Sequence, residues 1–207
     1  MVSSKKVVIK LIFMEALKLS NKYTIYKDTY NGEYSIDDFL KLVEFNHNNT
    51  IHSDKDNSVW IEIESDIFDS INNQIKNNIE SITNRKFNNW AQHHWVYTQR
   101  KDFNMEWMHQ HISVHPPGRS KIRTDFTFTF YLQTTEKISG DEGKIVFQTE
   151  DEIKHKFLPK VNDIFIFPAD IRHTAIPTPD SDKERIVYAG SYCIDIFNQN
   201  KDTFNVI

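Results

Sequence analysis

Three histidines in this chain have the spacing of metal ligands. His109 and His111 are separated by one residue, and alternate side chains of a strand point to the same face, about 6 to 7 Å apart along the backbone. Two imidazoles arranged in this way can bind one metal ion. A third ligand must come from another strand. His173 is the best candidate, because it follows a turn, an apolar strand and a proline within residues 159–168.

The other histidines are poorer candidates. His93 and His94 are adjacent, so in a strand they face opposite ways and cannot chelate one ion together. His115 could substitute as a ligand, but the following Pro116-Pro117-Gly118 indicates that the strand has ended. Three more lie in polar surroundings and are expected to be solvated: His47, His52 and His155.

The elements that must position these ligands change in type along the chain. All six prolines lie at Pro116 or later, so the first half is expected to be helical and the second to consist of strands and turns. Ser35 is a predicted N-cap for a helix through about residue 45. Ser65 is predicted to cap a longer helix to about Thr83, because apolar residues recur there at intervals of three and four.

Two short N-terminal segments are less clear. Residues 59–63 resemble a strand, and residues 5–17 could form a strand or a short helix, because their apolar residues show no decisive period.

From Trp90 the apolar pattern has a period of two, which indicates strands. Short strands separated by turn residues predict a sandwich or barrel, with the earlier helices covering one sheet. We therefore expect one domain over residues 1–207, mainly β with N-terminal helices, in which residues 1–89 support a β core at 90–197. The strand candidates are 90–100, 105–114, 122–133, 144–149, 153–158, 163–167 and 185–197.

The composition argues against several classes of function. The formal net charge of -4 gives no electrostatic footprint for nucleic acid or an anionic membrane. No apolar run approaches the roughly 20 residues of a membrane span. Cys193 is the only cysteine, so no intrachain disulfide can form and a cytoplasmic location is expected. Lys10 and Glu15 interrupt the N-terminal apolar run, which argues against a secretion signal.

The order of motifs resembles the Fe(II)- and 2-oxoglutarate-dependent dioxygenases, particularly the small prolyl-hydroxylase-like members of bacteria and their viruses. The resemblance covers roughly residues 90 to 197 and implies a double-stranded β-helix, also called a jelly roll or cupin-like fold, with helices packed on one sheet. The matching pieces, in order, are His109-Gln110-His111, Phe130-Tyr131-Leu132, Gly143-Lys144-Ile145-Val146-Phe147, Pro159 through Phe167-Pro168, His173 and Arg185.

The resemblance also implies Fe(II) as the metal held by His109, His111 and His173. One position departs from the family, which usually has a carboxylate where this chain has His111. Three imidazoles could still hold Fe(II), with one more unit of positive charge left on the site. A carboxylate elsewhere, such as Asp125, could instead complete it.

Arg185 matches the family's clamp for the distal carboxylate of 2-oxoglutarate, which a guanidinium can bind through two parallel hydrogen bonds. Its alternative is a surface cation that follows Lys183 and Glu184. By analogy, Tyr131 or Thr129 could hydrogen-bond the cosubstrate, although a threonine-rich strand face is equally typical of a solvated strand.

The implied reaction is hydroxylation of a C–H bond in a peptidyl or small-molecule substrate, with 2-oxoglutarate and O₂ consumed and succinate and CO₂ released. No protein acid or base beyond the metal site is required. One alternative is a cupin-type three-histidine enzyme that does not use 2-oxoglutarate, because His-x-His with a distal histidine is also a cupin pattern. Another is a non-catalytic jelly-roll binding or virion protein. Neither the substrate nor the oligomeric state can be read from the sequence.

Overall fold

The computed structural model describes residues 14–41, 58–60, 66–86, 91–99, 108–114, 122–135, 139–178 and 185–194. Within these ranges a short helix α1 covers residues 36–41, and a long helix α2 covers Asp66–Thr83. The strands, in chain order, are β1 (Glu15–Lys18), β2 (Thr24–Thr29), β3 (Ser58–Trp60), β4 (Ala91–Gln99), β5 (Ser113–Val114), β6 (Ile122–Arg123), β7 (Phe126–Gln133), β8 (Ile145–Gln148), β9 (Lys154–Phe157), β10 (Asp163–Pro168), β11 (Arg172–Ala175) and β12 (Arg185–Cys193).

Two antiparallel sheets form the framework. The larger has seven strands in the order β1-β2-β10-β7-β12-β4-β3, and the smaller has three in the order β11-β8-β9. A bridge between His109 and His173 joins the segment before β5 to the free side of β11. Side chains from both sheets pack together between them, so the predicted double-stranded β-helix is confirmed. This inner cluster comprises Tyr23, Ile25, Tyr131, Ile145, Phe147, Phe165, Phe167, Ile171, Val187 and Ala189.

The helices cover the opposite face of the larger sheet, as predicted. Ser35 caps α1, since its hydroxyl accepts a hydrogen bond from the Asp38 N–H at 3.2 Å. In α2, apolar residues spaced by four bury one stripe of the helix against the sheet. This outer cluster includes Phe39, Phe68, Ile71, Ile75, Ile79, Val96, Phe128, Phe130, Ile164, Ile166, Tyr188 and Tyr192.

Replacing Ile75 with alanine is expected to lower the free energy of unfolding by about 2 to 5 kcal/mol, because the fully buried side chain leaves a cavity between α2 and the sheet. Urea denaturation followed by circular dichroism measures the change. Asn77→Ala, on the exposed face of the same helix, is the control. Equal stability of the two variants would contradict the packing of α2.

Several strands differ from expectation. The N-terminal segment was expected to be helical, apart from a strand at residues 59–63 and either a strand or a short helix at residues 5–17. The described end of residues 5–17 belongs to strand β1, and β2 lies in the sheet beside β10. The polar residues of β2 break the apolar alternation by which a strand is recognised. In the fold they have partners: Lys27 pairs with Asp163 at 2.9 Å, and Asp28 accepts hydrogen bonds from α2. The strand β11 was also missed. The predicted strand 122–133 breaks between β6 and β7, and in the predicted strand 105–114 residues 108–112 make only the single bridge at His109.

Some predictions fall on residues outside the described ranges. These are the helix beyond residue 41, the strand beyond residue 60, the predicted cap Ser65, the strand residues 90, 100, 105–107 and 195–197, residues 5–13, and His47, His52 and His115. Neither helix in the described part of the chain is long and apolar enough to cross a membrane.

Candidate metal centre

The structure brings the three predicted histidines together. Each of His109, His111 and His173 offers a ring nitrogen, and these three atoms all lie within 4.8 Å of one another. The ring centroids are 4.9 Å apart for the first pair, 4.4 Å for His109 and His173, and 5.1 Å for His111 and His173. One ion can therefore reach all three imidazoles after small side-chain adjustments.

Backbone hydrogen bonds hold the two ligand-bearing segments side by side. His109 and His173 exchange a pair of N–H···O bonds, both 2.9 Å long. Two residues further on, the His111 N–H donates to the Ala169 carbonyl, also at 2.9 Å. His109 thus bonds to β11 and His111 to the turn before it, and the extended backbone carries both side chains to one side.

His173 is the most enclosed of the three, with 5% of its surface exposed. Its ring packs against Phe167, with centroids 4.7 Å apart. Its Nδ1 lies 3.2 Å from the Ile171 carbonyl, and a proton on Nδ1 satisfies that carbonyl and leaves the Nε2 lone pair for a metal. Burial lowers the pKa of His173 well below its ordinary value, and the neighbouring imidazoles add to the effect. The neutral form, which is the form that binds metals, is therefore favoured.

His111 is half-buried, and its ring lies against the indole of Trp95, with centroids 5.1 Å apart. The carboxylate considered as an alternative ligand is occupied elsewhere: Asp125 accepts a hydrogen bond from the Ile194 N–H at 2.8 Å. Asp170, three residues before His173, pairs with Lys22 at 3.0 Å. Within the described ranges, the candidate metal cluster contains histidines only.

Arg185 opens β12 inside the fold, where 1% of its surface is exposed. Its Nη1 donates to the Gly143 carbonyl at 2.8 Å. Gly143 has a φ of 70°, and a Cβ there would lie 3.2 Å from the Thr178 side chain, so a larger residue would be strained at this turn. Because the Arg185 side chain is buried, the alternative of a surface cation is excluded. Arg185 lies about 13 Å along β12 from Ala189, which pairs with Trp95 in the register of β4.

The threonine-rich face of β7 is also buried. Thr129 is 9% exposed and Tyr131 is 1% exposed. Tyr131 belongs to the inner cluster, and Thr129 lies in register between Phe165 and Ala189, which belong to it too. Both side chains therefore face the interior between the sheets, and a solvated strand face is excluded.

Two other histidines lie away from this cluster. His94 contacts the outer cluster, with its Nδ1 2.7 Å from the Tyr188 hydroxyl and its ring against Phe128. His155 was expected to be solvated, but it is half-buried, because it lies in β9 opposite Phe147 of the inner cluster.

Sequence reasoning assigned no role to Trp95, which contacts His111, or to Gln110 and Tyr23, which both contact Asp170 in the turn before β11. The alternation of β4 could have indicated that Trp95 faces inward. No sequence signal connects Tyr23 with Asp170, because the two residues lie far apart in the chain.

No protein-family model and no curated protein matches the sequence. The fold is similar to solved structures. The viral collagen prolyl hydroxylase of Paramecium bursaria Chlorella virus-1 matches with a TM-score of 0.55 and 14% identity over 80% of this chain and 88% of that chain. Its 2-oxoglutarate complex gives a TM-score of 0.52 and 15% identity over 80% and 94% of the two chains.

A prolyl hydroxylase from Trichoplax adhaerens, in complex with a peptide fragment of the hypoxia inducible factor oxygen degradation domain, matches with a TM-score of 0.50. The identity is 12%, over 82% of this chain and 83% of that chain. The chain therefore has the fold of the Fe(II)- and 2-oxoglutarate-dependent oxygenases, in the form found in prolyl hydroxylases.

Proposed function

We propose that this chain is an Fe(II)- and 2-oxoglutarate-dependent dioxygenase that hydroxylates a C–H bond of a peptidyl or small-molecule substrate, with release of succinate and CO₂. The observation that carries the proposal is the convergence of three imidazoles in a fold whose interior also contains a buried arginine.

The donor set fits a divalent iron site. His109, His111 and His173 offer neutral nitrogen ligands, and three protein ligands leave coordination positions for a cosubstrate. Bound iron, together with 2-oxoglutarate, supplies the activation of O₂ that C–H hydroxylation requires. Because His111 is an imidazole rather than a carboxylate, the ligand set carries no negative charge, which favours an anionic cosubstrate.

Arg185, Tyr131 and Thr129 are proposed to hold 2-oxoglutarate. The Gly143 carbonyl orients the guanidinium of Arg185, which would pair with the distal carboxylate. The Thr129 hydroxyl is buried and has no hydrogen-bond partner within the described part of the chain. A ligand oxygen would satisfy this hydroxyl, which otherwise stays buried at a cost.

The apolar inner wall is proposed to exclude water from the reacting centre. Phe147, Phe165 and Phe167 are fully buried, and they line the space between the two sheets. In a water-poor interior the electrostatic attraction between Arg185 and a carboxylate is stronger than at the surface. No side-chain acid or base is assigned to the central step.

The test is succinate formation from 2-oxoglutarate by protein loaded with Fe(II), in the presence and absence of proline-containing peptides. We expect O₂-dependent succinate release, increased by a coupled substrate. The Trichoplax protein's peptide complex makes peptides the first substrates to try. Metal-loaded protein that consumes no 2-oxoglutarate under any condition would contradict the proposal.

The cupin-type enzyme is the second candidate, because a three-histidine ligand set is also a cupin arrangement. Protein that binds iron stoichiometrically but shows no affinity for 2-oxoglutarate would favour it. Protein that retains no stoichiometric metal after anaerobic loading would instead favour a non-catalytic binding protein.

A further inference from the structure

A short turn between β10 and β11 contacts both segments that carry the histidine cluster. We call residues 169–171 the ligand turn. Its three consecutive carbonyl oxygens all contact the ligand-bearing segments. The Ala169 carbonyl accepts the His111 N–H at 2.9 Å. The Asp170 carbonyl accepts the side-chain amide of Gln110. The Ile171 carbonyl lies 3.2 Å from His173 Nδ1.

The turn between β1 and β2 contacts the ligand turn at Asp170. The hydroxyl of Tyr23 donates to the Asp170 carbonyl at 3.4 Å and lies 3.5 Å from its carboxylate. Lys22 donates to the same hydroxyl at 2.6 Å and pairs with the Asp170 carboxylate at 3.0 Å. The hydrogen bond to Tyr23 raises the pKa of Lys22 above its ordinary value, and the hydrogen bond to Asp170 adds a smaller effect.

The turn between β1 and β2 has its own bracing. The Ser20 hydroxyl accepts the N–H groups of Lys22 and Tyr23, both at 3.1 Å, and donates to the Glu150 carboxylate. The Leu19 N–H donates to the Tyr23 carbonyl at 3.0 Å. This turn therefore has hydrogen bonds of its own besides those to the ligand turn, and a braced element can hold a neighbouring site in place.

We propose that Tyr23 and Lys22 are positioning residues of the metal site. By holding Asp170, they set where the ligand turn presents His111 and His173, so that metal affinity depends on the N-terminal hairpin. This inference rests on the proposed function in one respect, namely that the histidine cluster binds a metal. The alternative is that the contacts of Tyr23 and Lys22 with Asp170 only stabilise the fold. In that case their loss would change the stability of the protein but not its metal coordination.

The experiment titrates Co²⁺ alone into the full-length chain and records its affinity and visible absorption spectrum. Tyr23→Phe removes one hydroxyl and keeps the ring, and Lys22→Met removes the charge. We expect each to weaken Co²⁺ binding about 5- to 10-fold, near the low end for outer partners of metal ligands, and to alter the spectrum at saturation. The thermal midpoint of the metal-free protein should stay close to that of the wild type.

Tyr26→Phe is the control for Tyr23→Phe, and it removes a hydroxyl beside the outer cluster. Lys18→Met is the control for Lys22→Met, and it removes a charge at an exposed position of the hairpin. If Tyr23→Phe fails to fold, Lys22→Met decides, since that side chain is 55% exposed. Variants whose affinity and spectrum match the controls would overturn the inference while leaving the proposed function intact. A wild-type protein that binds no Co²⁺ would overturn both.

Discussion

Metal binding is expected to be lost when His173 is replaced by alanine. This side chain is the most enclosed of the three, and its removal leaves two half-buried imidazoles. Partners that merely orient ligands are worth about 10- to 100-fold in affinity, so removal of a ligand should weaken binding by about 100-fold or more. Isothermal titration with Fe(II) under anaerobic conditions measures the change, and succinate formation should disappear with it.

The matched control is His155→Ala. His155 lies on the same sheet as His173, with Phe147 of β8 between them in the register. It is not part of the cluster, so metal affinity should be unchanged. If both alanine variants bind metal as the wild type does, the histidine cluster is not the metal site.

A second substitution tests the departure from the family. His111→Asp introduces the carboxylate that the resemblance leads one to expect, and metal binding should persist, because a carboxylate is also a ligand for Fe(II). The added negative charge should weaken the binding of the dianionic cosubstrate. Unchanged 2-oxoglutarate affinity in this variant would indicate that His111 does not contact the metal.

Replacing Arg185 with glutamine is expected to raise the Kd of 2-oxoglutarate by about 100-fold or more. A guanidinium can make two charge-assisted hydrogen bonds to a carboxylate, each worth about 1.5 to 3 kcal/mol. Since each 1.4 kcal/mol corresponds to about tenfold in affinity, both together account for at least two orders of magnitude. Equilibrium binding to the metal-loaded protein measures the effect.

Two controls accompany this variant. Arg172→Gln removes an exposed arginine from β11 and should leave 2-oxoglutarate affinity unchanged. Arg185→Lys keeps the charge but not the paired geometry, so its Kd should lie between those of wild type and glutamine variant. Metal affinity should be retained in all three. Normal 2-oxoglutarate binding by a folded Arg185→Gln protein would show that Arg185 does not hold the distal carboxylate of the cosubstrate.

Local patterns were sufficient for the regular elements of the fold. Helix α2 follows from isoleucines at intervals of three and four residues, of which Ile71, Ile75 and Ile79 are fully buried. Most strands of the second half follow from alternation and turn residues. Strand β2 could not be predicted, because Lys27 and Asp28 look solvent-exposed until Asp163 and α2 supply their partners. Such pairings are non-local, and a sequence window does not contain them.

The same distinction applies to the site. The chemical character of the candidate ligands can be read from the chain, since the His-x-His spacing needs only a locally extended backbone. Whether Thr129 and Arg185 face solvent or the interior could not be read, because a polar strand face looks the same in both cases. Burial between two sheets answers that question.

From residue types and spacing alone, the chain is recognisable as a mainly β protein with a three-histidine cluster, because side-chain direction and turn chemistry are local properties. The contacts that surround the cluster are long-range. Trp95 meets His111, and Tyr23 meets Asp170, only because strands distant in sequence pack together. These partners became visible only in the folded chain, since pairing across sheets depends on register and closure rather than on neighbouring residues.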